Sequence, residues 1–445
     1  MIISQTGVSS PFSFAGTGDE LQNSGIINNL GATGTAVVSA ALAGNIVTNS
    51  GMIASFGAGS AISLTLGGTI GNSGVISGAI ASGGPLALTN AAAGRFSGFV
   101  VVTPDGLGTG STITNRGTMI FAETAGNPAH LANAVIGLTD ANDTVVNAGR
   151  ITGDIQLGGG NDVYDGRGGA LLGTVFGGLG DDLYYLTQAT TIADSGGTDT
   201  VNARMSLTLA TGIENLVISG FGNFSGSGNT LANLMTGNSS ANGLDGQGNN
   251  DTLLGGGGAD TIKGGNGNDS MEGQAGNDRL QGGFGNDLGL GGEGNDLVQG
   301  ETGADTLSGG VGLDTLDGGV GSDTLEGGDD ADRLIGGAFG TDVLTGGAGA
   351  DTFAFVTTQD SFATQAADLI TDFTPGQDKI DLSALVTGDF LFMGGAAFSS
   401  TDASVRVTTQ AGKTLVLIDT DHNGTADMQV FLTGIIALAA TDFLL

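Results

Sequence analysis

Along residues 1 to about 155 the apolar positions come in short runs, broken by Gly, Asn and Ser. Runs of that length, partly alternating, predict β-strands rather than helices. A loose motif, Asn-x-Gly-x-Ile/Met, recurs at Asn23–Ile27, Asn49–Ile53, Asn72–Ile76, Asn115–Met119 and Asn147–Ile151, with a weaker copy from Asn90 to Phe96. Its spacing of about 18 to 32 residues is that of the coils of a parallel β-helix. Asn and Gly are expected to make left-handed turns between the strands, while alternate apolar residues fill the bore.

Between 156 and about 236 the pattern is transitional. Two isolated nonapeptides, Leu157–Asp165 and Gly177–Tyr185, place acids at Asp162 and Asp182. A Ser195–Val201 turn follows, and Leu207 to Met235 returns to β-helix patterning on Ile213, Leu216, Val217 and Ile218. From 237 to 354 a strict period of nine takes over, G-G-x-G-x-D-x-U-x with U a large apolar residue. Thirteen units fill this span, and the one at Gly336–Thr345 carries a single inserted residue. Residues 355–445 lose the repeat and gain Phe. Runs such as Thr414–Asp419 and Met428–Thr433 predict a compact β-rich cap. The four segments expected are therefore 1–155, 156–236, 237–354 and 355–445. The fold class expected is all-β, a parallel β-solenoid whose N-terminal β-helix leads into a parallel β-roll and the cap.

Composition adds weight to a repeat architecture. Gly is 87 of 445 residues and Pro only 5, which fits neither collagen nor a Pro-rich linker. The formal net charge of -34 makes nucleic acid and anionic membrane surfaces poor partners. That charge is uneven. Of 45 acids and 11 bases, residues 1–155 hold 7 and 3, leaving 38 and 8 for the remainder. Such self-repulsion opposes compaction unless multivalent cations offset it. No Cys is present, so disulfides play no part. The start, MIISQTGVSSPFSF, has neither a basic nor an apolar signal-peptide region, and no run of about 18 apolar residues predicts membrane insertion.

The nonapeptide explains how cations would be held. Its glycines allow positive φ and let carbonyls point inward. Its x-U-x portion is a short strand with U facing the core. Two units make one coil, so residues 18 apart stack at about 4.8 Å. The aspartates then sort into two ladders. One edge takes Asp260, Asp278, Asp296, Asp314, Asp332 and Asp351, and the other Asp251, Asp269, Asp287, Asp305, Asp323 and Asp342. Clean copies start at Gly255 (with Gly257), Gly264 (with Asn266 at the third position), Gly291, Gly309 and Gly318. Carboxylates and carbonyls in flexible geometry suit Ca2+ better than Mg2+, and with 2 His and no Cys there is little to bind zinc. Asn242 in place of Asp, Asn249 and Asp330 in place of the fourth Gly, and Gly289 in place of U predict weak or absent metal at the first turn and near the insertion.

These repeats resemble the RTX, or haemolysin-type, calcium-binding family. The resemblance implies a β-roll that is disordered without calcium and folds on binding it. Asp351–Phe355, Asp368–Phe373, Gly376–Ser383 and Asp442–Leu445 further resemble the C-terminal domain of serralysin-type metalloproteases. That likeness implies an uncleaved signal for a type I secretion apparatus and an extracellular or cell-surface location. Asp419, Asp421, Asn423 and Asp427, with Gly424, also resemble half an EF-hand loop, with Val430 where a bidentate Glu would stand. Two readings of this stretch are open, an extra calcium site or a tight polar turn.

An active site is harder to find. No H-E-x-x-H occurs, since His130 precedes Leu131 and His422 precedes Asn423, which speaks against a protease. His130 reads as a loop residue. A non-catalytic structural or adhesive protein is expected, with itself (a layer or fibre) or a cell-surface polysaccharide as partner. The alternative is a polysaccharide lyase or epimerase acting through the N-terminal β-helix. For that chemistry residues 1–155 offer Arg95, Arg116 and Arg150 but no Lys, Trp or Tyr.

Overall fold

The structure is a computed structural model. It describes residues 2–5, 8–9, 12–14, 16–29, 38–40, 43–55, 60–103, 109–120, 134–361, 367–386 and 390–445. The chain divides into two compact units, Met1–Met205 with Ala210–Asn215, and Ser206–Leu209 with Leu216–Leu445. Both are β-solenoids of parallel strands. Among the described residues, the one helical element is a 3-10 turn at Ala440–Asp442, and no helix is long and apolar enough to cross a membrane.

The first unit is three-sided. A representative coil runs through Asn45–Asn49, Met52–Ser55 and Ile62–Leu64, and the next through Gly68–Asn72, Val75–Ser77 and Ile80–Ser82. Each strand pairs in parallel with its counterpart one coil on, as in Asn49↔Asn72↔Asn90 and Ile53↔Ile76↔Phe96. Apolar side chains therefore stack in three inner columns. Val47, Ile70, Leu88 and Ile113 form part of one, Ile53, Ile76, Phe96 and Met119 of the second, and Ile62, Ile80, Val100 and Ile136 of the third, all buried. This is the β-helix expected from the short apolar runs, and it continues through Thr200–Ala203.

The role of the Asn-x-Gly motif differs from expectation. None of Gly51, Gly74, Gly117 and Gly149 has positive φ, and neither do the motif asparagines. The asparagines instead end buried strands and bond to one another through their side chains. Asn23 Nδ2 donates to Asn49 Oδ1, Asn49 to Asn72, Asn72 to Asn90, Asn90 to Asn115 and Asn115 to Asn147, at 2.8–3.0 Å. An amide suits this position because it donates and accepts at once, which an endless stack requires. The glycine is needed for space. A Cβ on Gly51, Gly74 or Gly149 would overlap the carbonyl oxygen of Gly25, Gly51 or Gly117, one coil earlier. The weaker copy at Asn90–Phe96 takes its full place in the ladder.

The second unit flattens to two faces. Strands such as Thr252–Gly257, Ser270–Ala275 and Leu288–Glu293 stack on one, and Thr261–Asn266, Arg279–Phe284 and Leu297–Thr302 on the other. Equivalent residues pair 18 apart, for example Leu253↔Met271 and Ile262↔Leu280, with the U side chains meeting in a thin core. Positive φ falls on glycines of the turns, such as Gly265 (111°) and Gly267 (130°). The inserted residue is absorbed in a turn at Phe339 (φ 63°), so that Thr324 still pairs with Val343. Asn249 and Asp330 hold the fourth position at φ 76° and 75°, a conformation these two residue types tolerate.

Beyond the repeats, Asp368–Ile370 pairs with Val343–Ala348 and, on its other side, with Met428–Leu432. Met428–Leu432 runs antiparallel to Lys413–Asp419, which in turn runs antiparallel to Ala403–Gln410. Lys379–Asp381 extends the opposite face and is held by an Arg333–Asp381 ion pair at 2.9 Å. These strands form the β-rich cap and cover the sheet edges that the last coil would leave open.

Candidate metal centre

Each ladder aspartate sits at the end of a glycine turn, directly before its strand, and from Asp251 to Asp351 all are at most 3% exposed. The turn aims the carboxyl inward, toward the preceding coil. There Oδ1 accepts the backbone N–H of the aspartate one coil earlier. Asp269 accepts from Asp251, Asp287 from Asp269 and Asp305 from Asp287, each at 2.8 Å. The other edge repeats the scheme, with Asp278 accepting from Asp260 and Asp296 from Asp278 at 2.7 Å. Across the insertion Asp342 accepts from Asp323 at 2.9 Å and Asp351 from Asp332 at 3.0 Å. The two ladders are thus those the nine-residue period implies.

The second oxygen is different. In Asp251, Asp260, Asp269, Asp278, Asp287, Asp296, Asp305, Asp314, Asp323, Asp332 and Asp342, Oδ2 is buried and has no hydrogen-bond partner. A buried carboxylate oxygen without a donor is costly, and so regular a set calls for a shared cation. Carbonyl oxygens converge on the same spot. A Cβ on Gly264 would overlap Asp269 Oδ2 and stand 2.7 Å from the Gly282 carbonyl oxygen. Gly255, Gly291 and Gly309 repeat this with Asp260 and Gly273, Asp296 and Gly309, and Asp314 and Gly327, and Gly318 with Asp323 and Gly336. The first glycine of each unit is therefore the wall of a cradle of carboxylate and carbonyl oxygens, which any side chain would fill. Gly257 and Asn266, at the third position, lie apart from it. A Cβ on Gly257 would meet only Ser239 and Ala275, at 3.5 Å or more, and Asn266 is exposed.

Loss of water on burial is the main cause that raises these carboxyls, opposed by the backbone N–H each accepts. Asp251, Asp323 and Asp332 are pushed to about 7 and Asp260 to about 6, with charge from other ladder acids adding to the rise. Hard oxygen donors, negative charge and flexible geometry fit Ca2+. Asn242 departs from the pattern: its Oδ1 accepts the Asn238 N–H at 2.7 Å and its Nδ2 donates to the Phe224 carbonyl at 2.9 Å. An amide there leaves no oxygen waiting for a cation.

The first unit carries a ladder of its own. Asp162 Oδ1 accepts the Asp143 N–H at 2.6 Å, Asp182 accepts from Asp162 and Asp199 from Asp182, both at 2.8 Å. Oδ2 of Asp162 and Asp199 is buried without a partner. Burial raises Asp162 to about 8 and Asp199 to about 7. Oxygens of Asp182, Asp194 and Asp199 lie within 4.8 Å of one another, and Tyr184 Oη donates to Asp194 Oδ2. Sequence reasoning picked Asp162 and Asp182 but not Asp143, Asp194 or Asp199. It also missed Asp368, which accepts the Asp342 N–H at 2.9 Å, and Asp378, which accepts that of Asp351 at 3.1 Å. Asp378 follows Asp351 by 27 residues, and in a coil of two nonapeptides three periods would put it on the opposite edge, so counting gave no signal. Asp368 follows Asp342 by 26 and had none. His130 lies outside the described residues.

A model of the family described as Peptidase M10 serralysin C terminal matches residues 181–445. Among solved structures, the solution structure of the AlgE6R3 subunit from the Azotobacter vinelandii mannuronan C5-epimerase is 30% identical, covering 35% of this chain and 76% of that one, with a TM-score of 0.24. The AlgE6R2 subunit from the same epimerase is also 30% identical, covering 36% and 88%, with a TM-score of 0.21. No curated protein matches.

Proposed function

The chain belongs to the peptidase M10 serralysin C-terminal family, and from that premise we propose that it is a secreted calcium-binding protein, folding outside the cell into a rigid, non-catalytic surface or matrix element. The observation that carries this reading is the unpaired Oδ2 of the ladder aspartates from Asp251 to Asp332, each beside a glycine carbonyl. Asp162, Asp182, the two ladders from Asp251 to Asp351, and the first-position glycines Gly255, Gly264, Gly291, Gly309 and Gly318 would hold the calcium ions. When bound, calcium supplies positive charge between coils. The chain's own part is to fix the carboxyls by their Oδ1 bonds and exclude water. Extracellular modules bind calcium with dissociation constants on the order of 10⁻⁴–10⁻³ M. Such sites stay empty in a low-calcium cytosol, keeping the chain unfolded for a type I apparatus, and fill outside, where mass action stabilises the fold.

The non-catalytic part of the reading rests on the first unit. Arg95 and Arg150 share one outer column with Val75, Thr118 and Ala170, and no carboxylate stands in it. A lyase or epimerase would need a base beside those cations. Self-association through the coil ends is part of the proposal.

Far-UV circular dichroism across a calcium titration is the test. The full chain should gain most of its β signal between micromolar and millimolar calcium, and magnesium should not substitute. Identical spectra and melting in chelator and in calcium would overturn the reading. Light scattering of the calcium-loaded chain tests assembly, which fails if the protein stays monomeric at all concentrations. Unchanged uronate polymer after incubation is the outcome expected of a non-enzyme.

A further inference from the structure

A different observation, outside both ladders, points to a metal. Lys413–Asp419 and Met428–Leu432 run antiparallel, and the loop joining them gathers Asp419, Asp421 and Asp427 so that one carboxylate oxygen of each lies within 4.8 Å of the others. Asp419 is 0% exposed. Its Oδ2 accepts the Gly424 N–H at 2.9 Å, but its Oδ1 is buried with no partner. Gly424, at φ 83°, turns the chain sharply enough for that bond. Among the described residues no Lys or Arg forms an ion pair with any of the three acids.

The rest of the loop is fixed by its own hydrogen bonds, and Asn423 Oδ1 accepts the Thr425 N–H at 2.8 Å. Asp421 accepts the N–H and Nδ2 of Asn423 at 3.1 and 2.9 Å, which fixes both side chains on the open side. Asp427 Oδ2 accepts from Thr420 N and Oγ1 at 2.7 and 2.6 Å, holding the loop's far end against its start. Oxygens at the first, third, fifth and ninth loop positions, with glycine at the sixth, are what a loop-type calcium site requires. Val430 at the twelfth position supplies no oxygen, so water must complete the shell and the affinity should be modest. We propose that Asp419, Asp421, Asn423 and Asp427 form a calcium site in the cap that is independent of the ladders.

Its consequence is structural. Met428–Leu432 pairs with Asp368–Ile370, and the Ser361 hydroxyl ties Gln429 to Asp368 by donating to the Gln429 carbonyl at 2.5 Å and accepting the Asp368 N–H at 2.9 Å. Asp368 closes one ladder through its bond to Asp342. Metal in the loop would therefore hold the strand that seals that end of the roll.

The test uses the full chain at saturating calcium. Native mass spectrometry should find one calcium fewer on Asp421→Ala and on Asp419→Asn than on the unaltered protein. The calcium midpoint of the β signal, which reports the ladders, should move by less than about twofold. Either variant folding with the full complement of calcium would sink the proposal. Should Asp419→Asn fail to fold, anomalous scattering from crystals of the unaltered protein decides. A calcium peak at about 2.3–2.6 Å from Asp419 Oδ1 is expected, and ladder peaks without a loop peak would overturn it. A ladder variant such as Asp287→Asn should lose roll calcium and keep the loop ion, so failure of the ladder reading is read separately.

Discussion

Asp269 Oδ1 accepts the backbone N–H of Asp251, one coil earlier, at 2.8 Å, while Asp269 Oδ2 is buried without a partner. One carboxylate thus does two things: it closes the backbone of the preceding turn and offers an oxygen to a cation. Asp269→Asn separates them. The amide oxygen can keep the Asp251 bond, but Nδ2 puts a donor where the free oxygen was. The calcium midpoint should weaken about tenfold, or about 1.4 kcal/mol, with fewer ions bound by native mass spectrometry. The metal-free chain should be no less stable than the unaltered one.

The pH dependence should change sign with calcium. Folded-state burial raises Asp260 to about 6, Asp251 to about 7 and Asp368 to about 8, all above the unfolded value of 3.8. In the metal-free roll their contribution to stability is fully present below about pH 4 and is lost as pH rises through 6 to 8. Calcium needs the ionised form, so its affinity should rise through the same window. Acidifying the metal-free chain from about pH 8 to 5 should increase β structure, while the calcium midpoint weakens. Calorimetry in buffers of different ionisation enthalpy should detect protons released on binding.

Gly289 occupies a buried apolar position between Met271 and Leu307. Restoring a large side chain there should not help. A Cβ at Gly289 would stand 2.7 Å from Val298 Cγ1 and 3.2 Å from Leu307 Cδ2, so its neighbours already fill the gap. Gly289→Leu should cost about 1–3 kcal/mol in calcium-saturated denaturant unfolding, as overpacking does.

Asn72 is a link of the amide stack, accepting from Asn49 at 2.8 Å and donating to Asn90 at 2.9 Å. Asn72→Ala leaves Asn90 Oδ1 buried without its donor. The expected loss is about 2 kcal/mol. Hydrogen exchange should localise it to amides of the first unit, leaving the calcium midpoint of the roll in place.

Gln274 and Glu301 hold the second repeat position at φ 74° and 72°, where most units have Gly. Left-handed strain of about 1–2 kcal/mol exceeds the entropic cost of glycine, about 0.5–1 kcal/mol. Gln274→Gly and Glu301→Gly should each raise calcium-saturated stability by about 0.5 kcal/mol, read as a higher denaturant midpoint.

Much of the roll was legible because its period is local. Nine residues specify a turn and a strand, and two such units close a coil, so counting from Asp251 places Asp269 above it. Irregular coils defeat counting. In the first unit Asp143, Asp162, Asp182 and Asp199 are 19, 20 and 17 residues apart, yet stack through the same N–H to carboxylate bond. Register there is set by hydrogen bonds and buried side chains across coils, with turns of unequal length absorbing the difference.

The chain's sequence by itself determined the all-β solenoid class, the two roll ladders and an oxygen-donor set poor in His and Cys, because these follow from residue type and period. Only the tertiary structure decided which oxygen of each aspartate is used by the backbone and which is left over. It also turned the motif asparagines from supposed left-handed turn formers into a buried amide stack. Both outcomes depend on what lies one coil away, and stacking brings together atoms 17 to 32 residues apart.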